Sequence, residues 1–231
     1  RQRRWIVRRW WQMLLASLLA GSVPAAAAPP LVADLSSPSI AITADFSGAE
    51  LLLFGAIEGA GDLVVVVRGP ARREVVRRKN RVAGVWVNGR AVAFEDVPAY
   101  YRVASTRPGE DLAPEATLAM LGIGASRLSL RAAAGTPADV IPQYRAALVR
   151  NKKQLRLYGG KTGRVETLEG RLFRTTVDFP ANVPTGVYAA EVFLLRHGRL
   201  VSRYKKLLAV QKAGIEAQIF NFAHERSALY G

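Results

Sequence analysis

The chain has 231 residues, carries 33 Lys and Arg against 18 acids for a formal charge of +15, and is 50% apolar. An apolar share this large excludes general disorder, and the lack of any cysteine excludes disulfides, thiolate metal sites and thiol nucleophiles. A balance this basic points to an anionic partner or surface.

Residues 1–27 have the grammar of a secretory signal peptide. Arg1, Arg3, Arg4, Arg8 and Arg9 form a basic start without an acid, Met13–Val23 is a short apolar run, and Ala25-Ala26-Ala27-Ala28 offers small residues for cleavage after Ala27. An uncleaved anchor needs roughly 20 apolar residues, and Pro24 interrupts a run that is already shorter. The surroundings of Arg8-Arg9 fit a twin-arginine signal poorly, so Sec export to the periplasm is the expectation.

Residues 28–38, rich in proline, serine and alanine, read as a linker. A first β region follows over 39–108. Ile40–Phe46 alternates apolar with small or polar residues, Leu51–Phe54 is a second strand, and the β-branched run Leu63–Val67 suits a central strand buried on both faces. Val85-Trp86-Val87, Asn88-Gly89 and Ala91–Phe94 predict a hairpin turning at Asn88-Gly89, a pair that accepts positive φ at both turn positions. Tyr100–Val103 adds a strand. Residues 109–160 read as a helical insertion centred on 112–157, with a short helix over Pro114–Leu121 and a longer one over 137–157. For the longer helix Thr136 is the expected cap, Pro137 opens it, and Val140, Tyr144, Ala147, Leu148 and Leu155 form its apolar face.

Strands return over 161–213. Phe173, Thr175, Val177 and Phe179 share one face, Pro180–Gly186 forms a corner, and Tyr188, Ala190, Val192 and Leu194 line an apolar face before a hairpin tip at His197-Gly198. A Gly-x-Tyr after a proline corner matches the tyrosine corner of immunoglobulin-like domains, which predicts that the Tyr188 hydroxyl ties back to upstream backbone. The predicted fold is mainly β, an immunoglobulin-like β-sandwich of one large or two small units. Residues 214–231 then form a juxtamembrane segment.

Catalytic constellations are weak. His197 and His224 have no metal-ligand spacing, and no metal or cofactor is expected. Gly159-Gly160-Lys161-Thr162-Gly163 lacks the earlier glycine of a phosphate loop, having Leu155 there, and it follows a helix instead of preceding one. Glu95-Asp96 and Glu110-Asp111 are adjacent pairs beside turns, a spacing that does not oppose two carboxylates across a substrate. The chain is therefore read as a non-enzyme.

The strongest anomaly is basic. Arg68, Arg72, Arg73, Arg77, Arg78, Lys79 and Arg81 crowd one segment with a single acid, Glu74. Such repulsion disfavours the compact state unless an anion or acidic surface offsets it. Export removes nucleic acid as the expected partner. Anionic lipid headgroups, an acidic protein patch and an anionic ligand remain, against a plainer role in which the charges protect an edge hairpin from aggregation. Arg150, Lys152, Lys153 and Arg156 form a second cluster, and Arg203, Lys205 and Lys206 a third. Trp86, Tyr100 and Tyr101 are expected to pack in the core, with ligand stacking as the alternative; Trp86 joins the seven cations as a candidate for anion or partner binding.

The stretch Leu52-Leu53-Phe54-Gly55, then Val66-Val67-Arg68-Gly69-Pro70, Val76-Arg77-Arg78-Lys79, Arg81-Val82-Ala83-Gly84-Val85-Trp86-Val87-Asn88 and Val97-Pro98-Ala99-Tyr100-Tyr101, resembles the uncharacterised alphaproteobacterial putative transmembrane protein family. The resemblance implies a signal-bearing periplasmic domain on a C-terminal membrane helix, entered near Leu229-Tyr230-Gly231. It also implies an accessory role beside permeases of the sulfite-exporter (TauE/SafE-like) type, and it supplies no catalytic residues. The function expected is a non-enzymatic, membrane-anchored periplasmic accessory protein that meets anionic headgroups or a permease. The alternative is a binding module for an anionic envelope polymer or a small oxyanion.

Overall fold

The apolar run Leu63–Val67 lies at the heart of a mainly β fold. The computed structural model describes residues 29–82 and 84–213; the expected signal peptide, the juxtamembrane segment and His224 lie outside the described residues. A six-stranded sheet has the order β2 (Ser39–Ile42), β13 (Arg199–Lys212), β12 (Gly186–Arg196), β4 (Asp62–Arg68), β7 (Tyr101–Ser105), β9 (Gly163–Arg164). A four-stranded sheet has the order β1 (Leu31–Leu35), β3 (Gly48–Ile57), β11 (Leu172–Pro180), β10 (Glu166–Leu168). Pairing is antiparallel except between β13 and β2 and between β7 and β9. Strands from both predicted β regions are neighbours in each sheet, as in β3 with β11 and β4 with β12, so together they build one sandwich.

Successive side chains of a strand point to opposite faces, and β4 uses both. Leu63, Val65 and Val67 enter the sandwich core with Leu53, Phe173, Tyr188 and Leu194. Val64 and Val66 enter a second core with Phe193, Phe94, Val97, Leu118, Leu148 and Tyr158. The second core is covered by β5 (Ala71–Val82), β6 (Val85–Pro98) and β8 (Arg131–Ala132), a three-stranded sheet, and by α1 (Gly109–Leu112), α2 (Glu115–Leu121) and α3 (Ile141–Gln154). β11 shows the complementary pattern: Phe173, Thr175, Val177 and Phe179 are buried, and Arg174, Thr176 and Asp178 are exposed.

The tyrosine corner forms. Tyr188 is fully buried, its hydroxyl donates to the Pro184 carbonyl, and its ring lies 5.6 Å from Tyr100 and 5.8 Å from Phe179. The β12–β13 connection turns at His197 and Gly198, whose φ angles of 49° and 72° suit a two-residue hairpin loop.

Other expectations need correction. The segment read as a linker carries β1, whose Leu31, Ala33 and Leu35 are buried against β3. The strand expected through Phe46 ends at Ile42, where the Thr43 hydroxyl bonds Asp45 at 2.6 Å and starts a turn. The Thr136 hydroxyl donates to Ala133 instead of capping a helix, and α3 begins only at Ile141, with Pro142 in its first turn. It stops at Gln154, before Arg156 reverses the chain with a φ of 58°. The hairpin turn lies between Val82 and Val85, while Asn88-Gly89 runs inside β6.

Burial pushes the Tyr101 hydroxyl up to about 12 and raises Tyr100, Tyr158 and Tyr188 as well. The unfolded chain ionises its tyrosines near pH 10, so above that pH it releases protons that the folded state keeps. Stability is therefore full below pH 10 and falls as pH rises toward 12, each tyrosine adding about 1.4 kcal/mol per pH unit to the slope. Tyrosinate absorbance followed alongside circular dichroism is expected to show these four groups ionising only as the strands melt.

Candidate functional site

The basic segment forms a ribbon with a rooted base and a free end. At the base, Val76 pairs with Val92 and both are buried, followed by Phe94 and Val97 on β6. The lone acid of the segment, Glu74, accepts a hydrogen bond at 2.5 Å from Lys152, which is buried on α3. One member of the second basic cluster thus ties the ribbon to the helix.

Two register shifts shape the ribbon. Arg73 on β5 faces both Glu95 and Asp96 on β6, and Arg78 faces both Gly89 and Arg90. Each is a bulge, which adds twist and leaves an unpaired residue. At the first, Asp96 takes a φ of 55° and binds Arg131, while Glu95 accepts from Arg73 at 2.9 Å. At the second, a Cβ on residue 89 would sit 2.6 Å from Asn80 Nδ2 and 3.2 Å from the Arg78 carbonyl oxygen, so glycine lets the Asn80 side chain lie across the ribbon there. That close approach, and not a turn, is the role of Gly89.

Beyond Val76 and Val92 the ribbon leaves the core. Arg77, Arg78, Lys79, Asn80 and Arg81 on β5 are exposed, as are Val85–Asn88, Arg90 and Ala91 on β6. Trp86 is 65% exposed and Val85 64%. Trp86 faces Arg81 across the ribbon and Asn80 faces Val87. Core packing, expected for three aromatics, holds for Tyr100 and Tyr101 and not for Trp86, because the strand continues past the last residue that the second core can cover.

The candidate cations therefore separate. Arg77, Arg78, Lys79 and Arg81 stand at the free end, and none has a carboxylate partner among the described residues. Arg72 donates at 3.3 Å to the Thr185 carbonyl and Arg73 is held by Glu95, both near the base. Arg68 lies apart, at the end of β4. Its Nη2 donates to the Leu121 and Gly122 carbonyls at 2.8 and 3.1 Å, its Nη1 to Glu191, and its guanidinium covers the Tyr101 ring at 5.8 Å. Glu191 is buried on the face of β12 toward the second core and also accepts from Arg203 of the third cluster. The Leu35 amide, together with Lys206 at 3.0 Å, lowers the Asp34 pKa. The clusters thus touch through acids: Arg68 and Arg203 share Glu191, and Lys152 meets the ribbon at Glu74. Sequence reasoning missed Glu191 and Arg90; Glu191 had a signal, a lone acid in the wholly apolar run of β12.

The Gly159–Gly163 loop borders a cavity of about 190 Å³ at the edge of the sandwich, floored by Val65, Val67, Ala104 and Val177 and flanked by Arg102 and Lys161. Arg102 donates to the Arg156 carbonyl at 3.0 Å, and its Nε is buried without a partner. Glu110 and Asp111 lie in the first turn of α1. No helix among the described residues is long and apolar enough to cross a membrane.

Residues 30–231 match a family described as putative transmembrane protein (Alph_Pro_TM). No curated protein matches the chain.

The two kinds of ion pair differ in consequence. Glu191→Gln leaves the partly buried Arg68 facing no carboxylate and is expected to cost about 3 kcal/mol in urea denaturation. Arg73→Gln, which removes an exposed pair, is expected to cost less than about 1 kcal/mol in the same assay.

Proposed function

The chain belongs to this putative transmembrane protein family, and on that premise we propose that it is a non-enzymatic accessory protein held on the periplasmic side of a bacterial inner membrane. Its contact arm is the β5–β6 ribbon. One observation carries this reading: the ribbon projects past its last buried pair with Trp86 and Val85 exposed beside Arg77, Arg78, Lys79 and Arg81. Exposed aromatic and apolar side chains grouped with unpaired cations mark surfaces that associate. An integral membrane partner presents acidic loops and headgroups in one plane, which such an arm can reach. The partner favoured by the family resemblance is an anion exporter of the sulfite type. A non-enzymatic role is supported by the state of the adjacent carboxylates at Glu95 and Asp96, both held by arginines.

A second reading rests on the cavity beside Arg102 and Lys161, where two cations outnumber the one carboxylate of the lining, Asp178, and suit a small oxyanion. Under that reading the protein is an anion-binding module. Titration with sulfate or phosphate would then show salt-sensitive binding that Arg102→Gln removes.

The accessory reading is tested by affinity purification of the full chain from mild detergent with mass spectrometry. Co-purification of an integral membrane transporter is expected, reduced about tenfold or more in the Arg77→Gln, Arg78→Gln, Lys79→Gln variant. Undiminished recovery with that variant removes the ribbon from the contact. Absence of any membrane transporter overturns the accessory role.

A further inference from the structure

The free end of the ribbon has a chemistry more specific than a basic patch. From Val75 to Phe94 there is no acid, and the cations are Arg77, Arg78, Lys79, Arg81 and Arg90. The two bounding acids are already engaged, Glu74 by Lys152 and Glu95 by Arg73. At the tip the cations give way to Val85, Trp86 and Val87, all exposed.

We propose that the ribbon tip inserts end-on into an anionic bilayer surface, with Trp86 and Val85 at the boundary of headgroups and acyl chains and the cations on the phosphates. This inference rests on the membrane-side placement argued above and names the ribbon's immediate partner as lipid.

Spacing supports it. Strand residues rise about 3.3 Å each, so Lys79, three positions behind Val82, sits about 10 Å from the turn, and Arg77 about 17 Å. The headgroup layer on each side of a bilayer is roughly 5–8 Å thick. With Trp86 and Arg81 at the acyl boundary, Lys79 stands about 7 Å further out, level with the outer headgroups, and Arg78, Arg77 and Arg90 stand in the zone of the surface potential. Tryptophan prefers this boundary because its ring is apolar and its N–H still finds a partner. Along the ribbon Arg81 stands level with Trp86, where its guanidinium can reach the inner phosphates, and the other cations stand behind the apolar tip, an order that matches the layers of the membrane.

Direction matters as well. Arg77, Arg78 and Lys79 are consecutive, as are Val85, Trp86 and Val87, so each trio spreads over both faces of the ribbon. A protein docking flat on one face would leave half of either set unused. A tip pushed into a headgroup layer is surrounded by it and engages both faces.

Trp86 reports on itself. The chain has four tryptophans, and replacing Trp5, Trp10 and Trp11 by Phe in the full chain leaves Trp86 alone. Adding vesicles of phosphatidylcholine mixed with phosphatidylglycerol should blue-shift Trp86 emission, and lipids brominated on the acyl chain should quench it. In the Arg77→Gln, Arg78→Gln, Lys79→Gln background the vesicle concentration needed should rise on the order of a hundredfold, since each cation near an anionic leaflet contributes a factor of about five. Neutral phosphatidylcholine vesicles should give little change. Val85→Asp, an exposed substitution that leaves the root of the ribbon intact, should abolish quenching.

Unchanged Trp86 emission on anionic vesicles overturns the inference, as does equal insertion into neutral ones. If Trp86 stays in water while the transporter still co-purifies, lipid is the wrong partner and the accessory reading survives. If Trp86 inserts and no transporter is recovered, the lipid inference stands and the protein-partner reading falls.

Discussion

The constraint on which the rest depends is that β4 and β12 are buried on both faces. A sandwich needs only one apolar face per sheet, with the other left to water. Here Val64, Val66, Phe193 and Leu195 would face solvent without a third layer, and β5, β6, the helices and their loops form it. The position of Glu191 follows from the same fact. It lies on the face of β12 turned to that layer, where an unpaired carboxylate would be costly to bury. Arg68 and Arg203 hold it from the two neighbouring strands, and Arg68 also ties β4 to the end of α2 through the Leu121 and Gly122 carbonyls. One buried acid thus joins three elements.

The third layer is shorter than its own longest strands, and this gives the protein its projecting part. β5 and β6 run 12 and 14 residues, yet their last pair anchored in the second core is Val76 with Val92. What continues is a two-stranded ribbon, which by itself is only marginally stable in water. Its root is fixed by Val76, Val92, Phe94 and the Lys152–Glu74 pair, and its bulges add twist. Several cations elsewhere are engaged, as in Arg107 with Asp62, Arg127 with Glu115 and Arg174 with Glu166. At the free end of the ribbon Arg77, Arg78, Lys79 and Arg81 stand close together with no carboxylate partner among the described residues.

The legible parts of the fold were those where a local pattern coincides with its tertiary consequence. Continuous β-branched residues in Leu63–Val67 mean burial on both faces, strict alternation in Phe173–Phe179 means one buried face, and a proline corner before Tyr188 places its hydroxyl. The misread parts are those where a local preference met a stronger long-range demand. Asn88-Gly89 is a good turn pair, but turning there would shorten β5 and misplace Val76 opposite Val92. Thr136-Pro137 is a good helix start, but Thr136 closes a turn onto Ala133 first. In Leu31–Leu35 the alternation is only five residues long and flanked by prolines, so its pairing with β3 gave little local signal. The basic character of the site was plain from the residues. Its division into a buried structural Arg68, a base-bound Arg72 and Arg73, and a free end was not, because exposure of Trp86 depends on where the covering layer stops.

That exposure also bears on the plainest explanation of the charges. Lys and Arg on an edge strand protect it from pairing with another chain, and β5 is an edge of its sheet. Protection alone calls for polar residues throughout the unprotected length. The tip instead places Val85, Trp86 and Val87 where no other part of the described fold covers them, which is the opposite of what an aggregation guard requires. On the reading proposed above, charges along the shaft and apolar groups at the end fit one occupant, a layered anionic surface that covers the end while the shaft remains near anions. Solubility explains the arginines and leaves the tryptophan unexplained; the proposed association at a charged, layered surface would account for both.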